Sequence, residues 1–225
     1  MFDLRQYLEG LDLLYSSGQG NEAEAYLKKG LKQAAAAVGQ CSMMFLYDKF
    51  FNDYDKTIAQ ILLNAEDMEQ EEKKENLINT FDALLEMDII PVVNENDSVS
   101  YTEIESEDRL FGDNDMLSAV VAVLCRAKRL VILSDINGLY DADPRLYPNA
   151  NLISRIEEID ETIYVLAGGA GSRRGTGGMK TKLRAAALAT AQGIDTVITN
   201  GKAPEALYEI VRGNKVGTLF VGKTF

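Results

Sequence analysis

The chain has 225 residues, of which 46% are hydrophobic and 26% are charged, a composition that is ordinary for a globular protein. Its net charge of −12, without a basic patch, argues against a nucleic-acid partner. No apolar run approaches the ~20 residues that a membrane span needs, and the opening segment MFDLRQYLEG lacks the apolar core of a signal peptide, so we expect a cytoplasmic protein with no membrane partner.

The first half of the chain alternates helical and strand-like patterns. Helices are predicted over 22–51 and 66–87, and strands over 57–63 and 89–93. Pro91 is an unusual residue inside the second of these strands, because proline has no backbone N–H to donate. The polar loop NENDSVS follows this strand.

The second half continues the alternation. Helices are predicted over 113–127, 177–192 and 204–212, and strands over 129–134, 193–199 and 216–220. Strands that alternate with helices indicate βαβ units and a largely parallel sheet, so the fold class is α/β. No linker divides the sequence, and we therefore expect a single domain over 1–225.

Two residue types bear on chemistry and compartment. Cys41 and Cys125 lie in different apolar segments, which predicts buried thiols in a reducing compartment. The chain contains no histidine, which removes the usual general base near neutral pH.

In a parallel sheet, ligands bind beyond the carboxyl ends of the strands. This rule selects three polar loops, which follow the strands 89–93 and 129–134 and precede the helix 177–192. All three are rich in Asp, Asn or Gly.

The glycine-rich stretch RRGTGGMKTKL, at 173–183, is the most distinctive of these loops. Its glycines allow a close approach of the backbone to a ligand, and the unpaired N–H groups of the following helix suit phosphate. Thr176 can add a hydroxyl donor, and Lys182 can return toward the loop. It is not a Walker A loop, because Met179 rather than glycine precedes Lys180. The alternative is a plain turn that enters a surface helix.

Two other clusters, NEND at 94–97 and FGDND at 111–115, each carry asparagine between acids. Asparagine suits the ammonium and carboxylate of an amino acid, and the carboxylates can bind an ammonium or hold lysines and Mg²⁺ in place. Asp113 or Asn114 can instead be a simple helix N-cap. Likewise Ser134 and Asp135 form either a structural turn or an acidic contact near nucleotide phosphates or metal.

These loops together resemble the glutamate 5-kinases of the amino acid kinase family. The resemblance covers roughly residues 32–220, and it is carried by KQAAAAVGQ, NEND, FGDND, LSDINGLYDADP, AGGAGSRRGTGGMKTKL, GIDTVITNG and VGTLF. It implies a three-layer αβα sandwich around a largely parallel sheet.

The resemblance also implies a reaction, in which the γ-phosphoryl group of ATP, with Mg²⁺, is transferred to the side-chain carboxylate of L-glutamate. The product, L-glutamyl 5-phosphate, is the first intermediate of proline biosynthesis. A carboxylate is already ionised at pH 7, so the absence of histidine fits this chemistry. A homo-oligomer and feedback inhibition by proline are further expectations from the family.

The resemblance assigns roles to particular residues. Ser17, Asp97 and Asn114 match glutamate-binding positions, and Asp113 matches a carboxylate that organises the active site. Ser134 and Asp135 match a pair that contacts ATP. The nucleotide loop is expected to comprise Thr176, Gly177, Gly178, Met179, Lys180, Thr181 and Lys182, with Lys182 as the cation that stabilises the transition state.

The first 31 residues depart from the family pattern. Family members open with a strand and a Lys-x-Gly loop, whereas this chain opens MFDLRQYLEGLDLLYSSG. Ser17 in SSGQG is either the glutamate-contacting serine or part of a tight turn. We also expect the kinase domain alone, without the PUA domain that follows it in many relatives.

Three functions stay open at this point. The first is an active glutamate 5-kinase. The alternative is a catalytically impaired homologue that acts as a glutamate- and nucleotide-binding or regulatory module. The third, a kinase for another carboxylate, is disfavoured by the NEND loop.

Overall fold

The structure, a computed structural model, describes residues 20–99, 114–168 and 178–224. The described residues form two units by their mutual contacts. Unit 1 comprises 20–63 and 88–99, and unit 2 comprises 64–87, 114–168 and 178–224. Each unit contains a sheet of its own.

Unit 1 contains one long helix and a pair of strands. These are α1 (Gly20–Asn52), β1 (Ile58–Leu63) and β2 (Ile90–Glu95). The strands are parallel and in register from Ile58 opposite Ile90 to Leu63 opposite Glu95, so their carboxyl ends lie together. Pro91 does lie inside β2, opposite Ala59, as the sequence predicts. The three predicted elements of this unit are therefore confirmed within a few residues at their ends.

Unit 2 contains four strands and most of the helices. The strands are β3 (Arg129–Ser134), β4 (Arg155–Ile156), β5 (Asp195–Asn200) and β6 (Thr218–Phe220). The helices are α2 (Glu66–Glu69), α3 (Glu71–Glu86), α4 (Asn114–Leu124), α5 (Glu161–Gly168), α6 (Met179–Ala191) and α7 (Ala206–Val211). The strand order is β3-β5-β6-β4, in which only the β5–β6 pair is antiparallel. The prediction of a largely parallel sheet is confirmed.

The core of unit 2 is built where α6 packs on the sheet. Leu183, Ala185, Ala186 and Ala189 are fully buried on one face of this helix. They join a buried apolar cluster with Ile198 of β5 and Phe220 of β6, among other residues. Alanine side chains let the helix approach the strands closely, so the orientation of α6 is tightly fixed.

The structure differs from the sequence predictions in its helices, its strands and its cysteines. The predicted helix 66–87 is two helices, because the backbone of Gln70 is extended, with φ −102° and ψ 110°. β4 and α5 were not predicted, since both are short and β4 exists only through its pairing with β6. The thiol of Cys41 is exposed on α1 rather than buried, and that of Cys125 is partly buried.

None of the helices in the described part of the chain is both long and apolar enough to cross a membrane.

The start of α2 is fastened by the carboxylate of Asp67. One oxygen accepts the backbone N–H of Asn64 at 2.9 Å, and the other accepts Lys73 Nζ at 3.1 Å. Burial raises the pKa of this carboxyl, but the hydrogen bonds from Asn64 and Lys73 outweigh burial and hold the pKa below its ordinary value. The carboxylate therefore stabilises the fold in its ionised form.

We expect Asp67→Asn to lower the free energy of unfolding at pH 7 by roughly 1–3 kcal/mol, because charged hydrogen bonds are lost. A carboxyl with a lowered folded-state pKa contributes its stability above the unfolded pKa of about 4 and loses it as the pH falls through the folded pKa. Urea unfolding should therefore show the difference from wild type shrinking below about pH 4. Glu66→Gln, at an exposed neighbour, is the control. A difference that is independent of pH would contradict this role for Asp67.

Candidate active site

The first turn of α6 is arranged to receive an anion. Gly178 precedes the helix in an extended conformation, with φ −87° and ψ −178°, and has no side chain to cap it. The first turn contains no acidic residue. Thr181 folds back onto this turn, since its hydroxyl lies 2.8 Å from the carbonyl oxygen of Gly178. The N–H groups of a helix N-terminus and the helix dipole favour negative charge here.

Lys182 and Asp115 form an ion pair beside this turn. Lys182 Nζ lies 2.9 Å from Asp115 Oδ2, and the two side chains are only 12% and 16% exposed. The hydroxyl of Thr181 lies 3.1 Å from the same carboxylate oxygen. Asp115 is the second residue of α4, so the pair joins the first turns of two helices. A cation and a carboxylate are thus held in fixed positions at the place where an anion would bind.

A second cluster of polar side chains lies at the carboxyl ends of β3 and β5. Ser134 stands opposite Asn200 in register, and Ser134 Oγ lies 3.1 Å from a carboxylate oxygen of Asp135. Asn200 donates to Asn137 Oδ1 at 2.9 Å, and Asn137 in turn donates to the hydroxyl of Tyr140 at 3.1 Å. Asp135 is exposed. These side chains form a polar rim beyond the sheet, where the rule for parallel sheets places ligands.

Gly138 holds this rim against β6. Its φ of +144° is unfavourable for other residues, and an added Cβ would lie 2.5 Å from Thr218 Oγ1. Thr218 is fully buried, accepts the N–H of Leu139 at 2.8 Å and donates to the carbonyl oxygen of Ile153 at 2.7 Å. The loop after β3 is therefore fixed by one buried hydroxyl.

In unit 1, Asp97 lines a cavity with a volume of about 610 Å³. Asn94 and Gln40 also line it, and Asn94 Nδ2 donates to Gln40 Oε1 at 3.2 Å. Gln40 Nε2 is buried without a hydrogen-bond partner among the described residues, which leaves a donor unused in the cavity wall. Met43 and Met44 supply apolar surface. A carboxylate acceptor, amide donors and an apolar wall together suit a small amino acid.

Comparison with known proteins assigns the chain to a family. The model of the amino acid kinase family matches residues 5–200.

The chain belongs to the amino acid kinase family.

Curated relatives within this family are highly similar. The glutamate 5-kinase of Clostridium perfringens is 53% identical over 192 residues, which cover 85% of this chain and 71% of the relative. The glutamate 5-kinase of Clostridium acetobutylicum is 50% identical, with coverage of 85% and 70%. Among solved structures, the UMP kinase of Bacillus anthracis aligns with a TM-score of 0.56 at 12% identity, over 95% of this chain and 75% of that one. This structural likeness concerns the fold alone, and it agrees with the predicted αβα class.

The structure brings together part of the site that the family resemblance implies. Lys182 and Thr181 meet at Asp115, while Ser134 and Asp135 contact each other at the sheet edge. Met179 is partly buried, whereas Lys180 and Asn114 are exposed. Ser17, Asp113, Thr176 and Gly177 lie outside the described residues, so their roles stay predictions.

Asp115 and Gln40 were not singled out from the sequence. FGDND contains two aspartates, and only the placement of Asp115 in the first turn of α4, facing Lys182, distinguishes it. Gln40 lies in the run KQAAAAVGQ. Its Oε1 accepts from Asn94 while its Nε2 has no partner among the described residues, and this arrangement depends on the packing of α1 beside β2. The FGDND and VGQ motifs were therefore the sequence features that could have led to Asp115 and Gln40.

The largely shielded position of the Lys182–Asp115 pair predicts strong coupling between the two side chains in the free energy of unfolding. Asp115→Asn and Lys182→Met should each destabilise the protein, because each leaves a poorly solvated partner unpaired. The double variant should be more stable than the sum of the single losses implies, by roughly 0.5–3 kcal/mol. Urea unfolding of the four proteins measures this coupling.

The control for this cycle is the exposed pair Glu71–Lys74, separated by 3.6 Å, with exposed fractions of 79% and 41%. Surface pairs couple by only about 0–1 kcal/mol. A coupling for Lys182–Asp115 no larger than that of the control would refute a structural ion pair.

Proposed function

We propose that this chain transfers the γ-phosphoryl group of ATP to the side-chain carboxylate of L-glutamate and so catalyses the first step of proline biosynthesis. The observation that carries the proposal is the mostly buried Lys182–Asp115 pair at the N-terminus of α6. The identity of 53% and 50% to curated glutamate 5-kinases supports the choice of glutamate as the acceptor. The family match runs through both units, which supports the prediction of a single kinase domain.

The reaction needs little acid–base chemistry. The attacking group is a carboxylate, which is ionised at pH 7, and the chain contains no histidine to act as a base. Phosphoryl transfer then depends on holding two anions in line and on stabilising the charge that spreads over the transferring group. Positioned cations and backbone N–H groups perform this task.

Lys182 is the proposed catalytic cation. Its ammonium is held by Asp115 and is mostly shielded from water. Because the cation is already in place, little movement of side chains or water is needed when a phosphoryl group binds. The turn that begins at Gly178 is proposed to supply N–H groups for the nucleotide phosphates, together with the proposed loop residues Thr176, Gly177, Met179 and Lys180. Thr181 is also a proposed loop residue, although its own N–H already donates to the carbonyl oxygen of Gly178. Ser134 and Asp135 are proposed to contact ATP from the sheet edge.

Mg²⁺ is the proposed metal partner of ATP. Protein-bound Mg²⁺ is usually held by one or two carboxylates together with substrate phosphates. Asp115 fits this role by its donor chemistry, because its carboxylate lies beside the anion-receiving turn of α6. When bound, the metal would neutralise charge on the phosphates.

Glutamate is proposed to bind in the cavity of unit 1. Asp97 can accept hydrogen bonds from the substrate ammonium, and the unpartnered Gln40 Nε2 can donate to a substrate carboxylate only after a rotation of its side chain exposes it. The roles of Ser17 and Asn114, which match glutamate-binding positions of the family, stay predictions. Inhibition by proline and location in the cytoplasm stay predictions.

A homo-oligomer is proposed from the outer face of α1. Leu31, Val38 and Phe45 follow one another at intervals of seven residues and are 41%, 69% and 68% exposed. No charged residue occurs from 33 to 47, and the exposed Ala34 and Ala35 allow a close approach between helices. A second copy of the same face is the natural partner, because an uncharged apolar stripe is complementary to itself.

Glutamate-dependent ADP release with Mg-ATP tests the catalytic proposal. Lys182→Ala should reduce kcat at least ~100-fold, since a transition-state cation is lost. Arg184→Ala, at an exposed position on the same helix, should retain activity. L-aspartate and N-acetyl-L-glutamate serve as alternative acceptors. Binding of ATP and glutamate without turnover, in a folded protein, would favour the binding-module alternative, and turnover with another acceptor would reassign the substrate.

Sedimentation equilibrium tests the oligomer. The wild-type protein should have a mass that is a multiple of 24.8 kDa, and Phe45→Asp should shift the distribution toward the monomer. Val165→Asp places the same charge on another exposed valine, 74% accessible on α5, and should leave the mass unchanged. A wild-type monomer at micromolar concentration would exclude the α1 interface.

A further inference from the structure

A separate pocket in unit 2 begins at the amino end of β3, whereas the polar rim lies at the carboxyl end of that strand, and the pocket extends to the middle of the sheet, where Arg155 is level with Val131. It has a volume of about 160 Å³ and is lined by Arg129, the first residue of β3, and by Arg155, the first residue of β4. The six residues of β3 separate Arg129 from Ser134, which at ~3.3 Å per residue is a distance of about 17 Å. The pocket is therefore distinct from the proposed nucleotide site. We call it the Arg129 pocket.

The Arg129 pocket is positively charged within an acidic chain. Three of its ten lining residues are cationic, namely Arg129, Arg155 and Lys215, and none is acidic. Ser154 and Asn214 add polar side chains to the lining. The whole chain has a net charge of −12, so this concentration of cations contrasts with the average surface.

The carboxylates near these cations lie outside the pocket lining and satisfy them only in part. Arg129 Nη1 donates to the carbonyl oxygen of Ile210 at 2.9 Å, but its Nη2 is 3.4 Å from Asp195. The other oxygen of Asp195 accepts the N–H of Gly222 at 3.0 Å. Arg155 donates from Nε and Nη2 to the two carboxylate oxygens of the exposed Glu157, so an anion would bind through Nη1 or compete with this pair.

Lys215 is exposed and has no ion pair within the described ranges of the chain. It follows the turn at Gly213, where φ is +83°. This turn carries the chain from the end of α7 to the pocket.

The floor of the pocket is apolar. Val197 and Ile210 are buried, and Leu219 is partly buried. Low-dielectric walls strengthen the attraction between the rim cations and an anion above them. The volume is that of roughly five water molecules at ~30 Å³ each, which is enough for a single phosphate or carboxylate group.

We propose that the Arg129 pocket is a binding site for a small oxyanion, in which Arg129, Arg155 and Lys215 contact a phosphate or carboxylate group. Guanidinium groups present paired N–H donors that match such groups, and the lysine adds a mobile charge. A bound anion would join the first residues of β3 and β4 to the segment after α7. Since it binds the folded state only, it would stabilise unit 2.

The test is a titration of the full chain with inorganic phosphate at constant ionic strength, followed by backbone amide NMR and by thermal unfolding. Amide signals of residues 213–216 should shift in a saturable manner, and the melting temperature should rise. The Lys182→Ala background weakens phosphate binding at the proposed active site. In this variant, the amide signals of residues 213–216 should shift with added phosphate as they do in the wild type.

Variants identify the site. Arg155→Gln combined with Lys215→Gln should weaken the phosphate affinity read at 213–216 by at least tenfold, whereas Arg184→Gln, which removes an exposed cation elsewhere in unit 2, should not. Melting without phosphate confirms that each variant is folded. Acetate is the second probe: a stronger response to acetate than to phosphate would assign a carboxylate ligand. The proposal is overturned if neither anion shifts these signals, or if the double variant binds as tightly as Arg184→Gln.

Discussion

The ion pair between Lys182 and Asp115 constrains the chemistry that unit 2 can perform. Removing two opposite charges from water is costly, and close geometry with additional hydrogen bonds offsets that cost only in part. Here Thr181 shares the carboxylate oxygen that Lys182 contacts. A mostly buried pair of this kind need not raise the stability of the fold, but it does fix the positions of its two side chains. It holds a cation at a helix N-terminus, where phosphate is favoured.

The position of Lys182 is fixed by the way in which α6 packs, with buried and exposed side chains following one another along the helix. Leu183 is fully buried, Arg184 is exposed, and Lys182 lies between these extremes. The alanines of the same helix pack against the sheet and leave little freedom for rotation or translation. The orientation of Lys182 is therefore set by apolar contacts rather than by its own ion pair alone.

Charge in this protein is organised locally rather than globally. A chain with a net charge of −12 still contains a cation beside the α6 turn and three cations around the Arg129 pocket. The two sites share no residue. Because attraction at short range in a partly desolvated site exceeds the screened field of distant surface charges, both sites can favour anions.

The sequence by itself determined most of the elements and the resemblance to the family. A short apolar run predicted β3 at its observed bounds, because a strand covered on both faces is apolar throughout, and the helix α6 was predicted within two residues at its ends. The glycine-rich and Asp/Asn-rich loops carried the resemblance to the amino acid kinase family. Only the tertiary structure decided that Asp115 contacts Lys182, that Gln70 interrupts a predicted helix, and that Arg129, Arg155 and Lys215 line one pocket. The ion pair and the pocket join residues that are remote in sequence, and no local pattern encodes such distances, because packing of the sheet and helices brings the residues together.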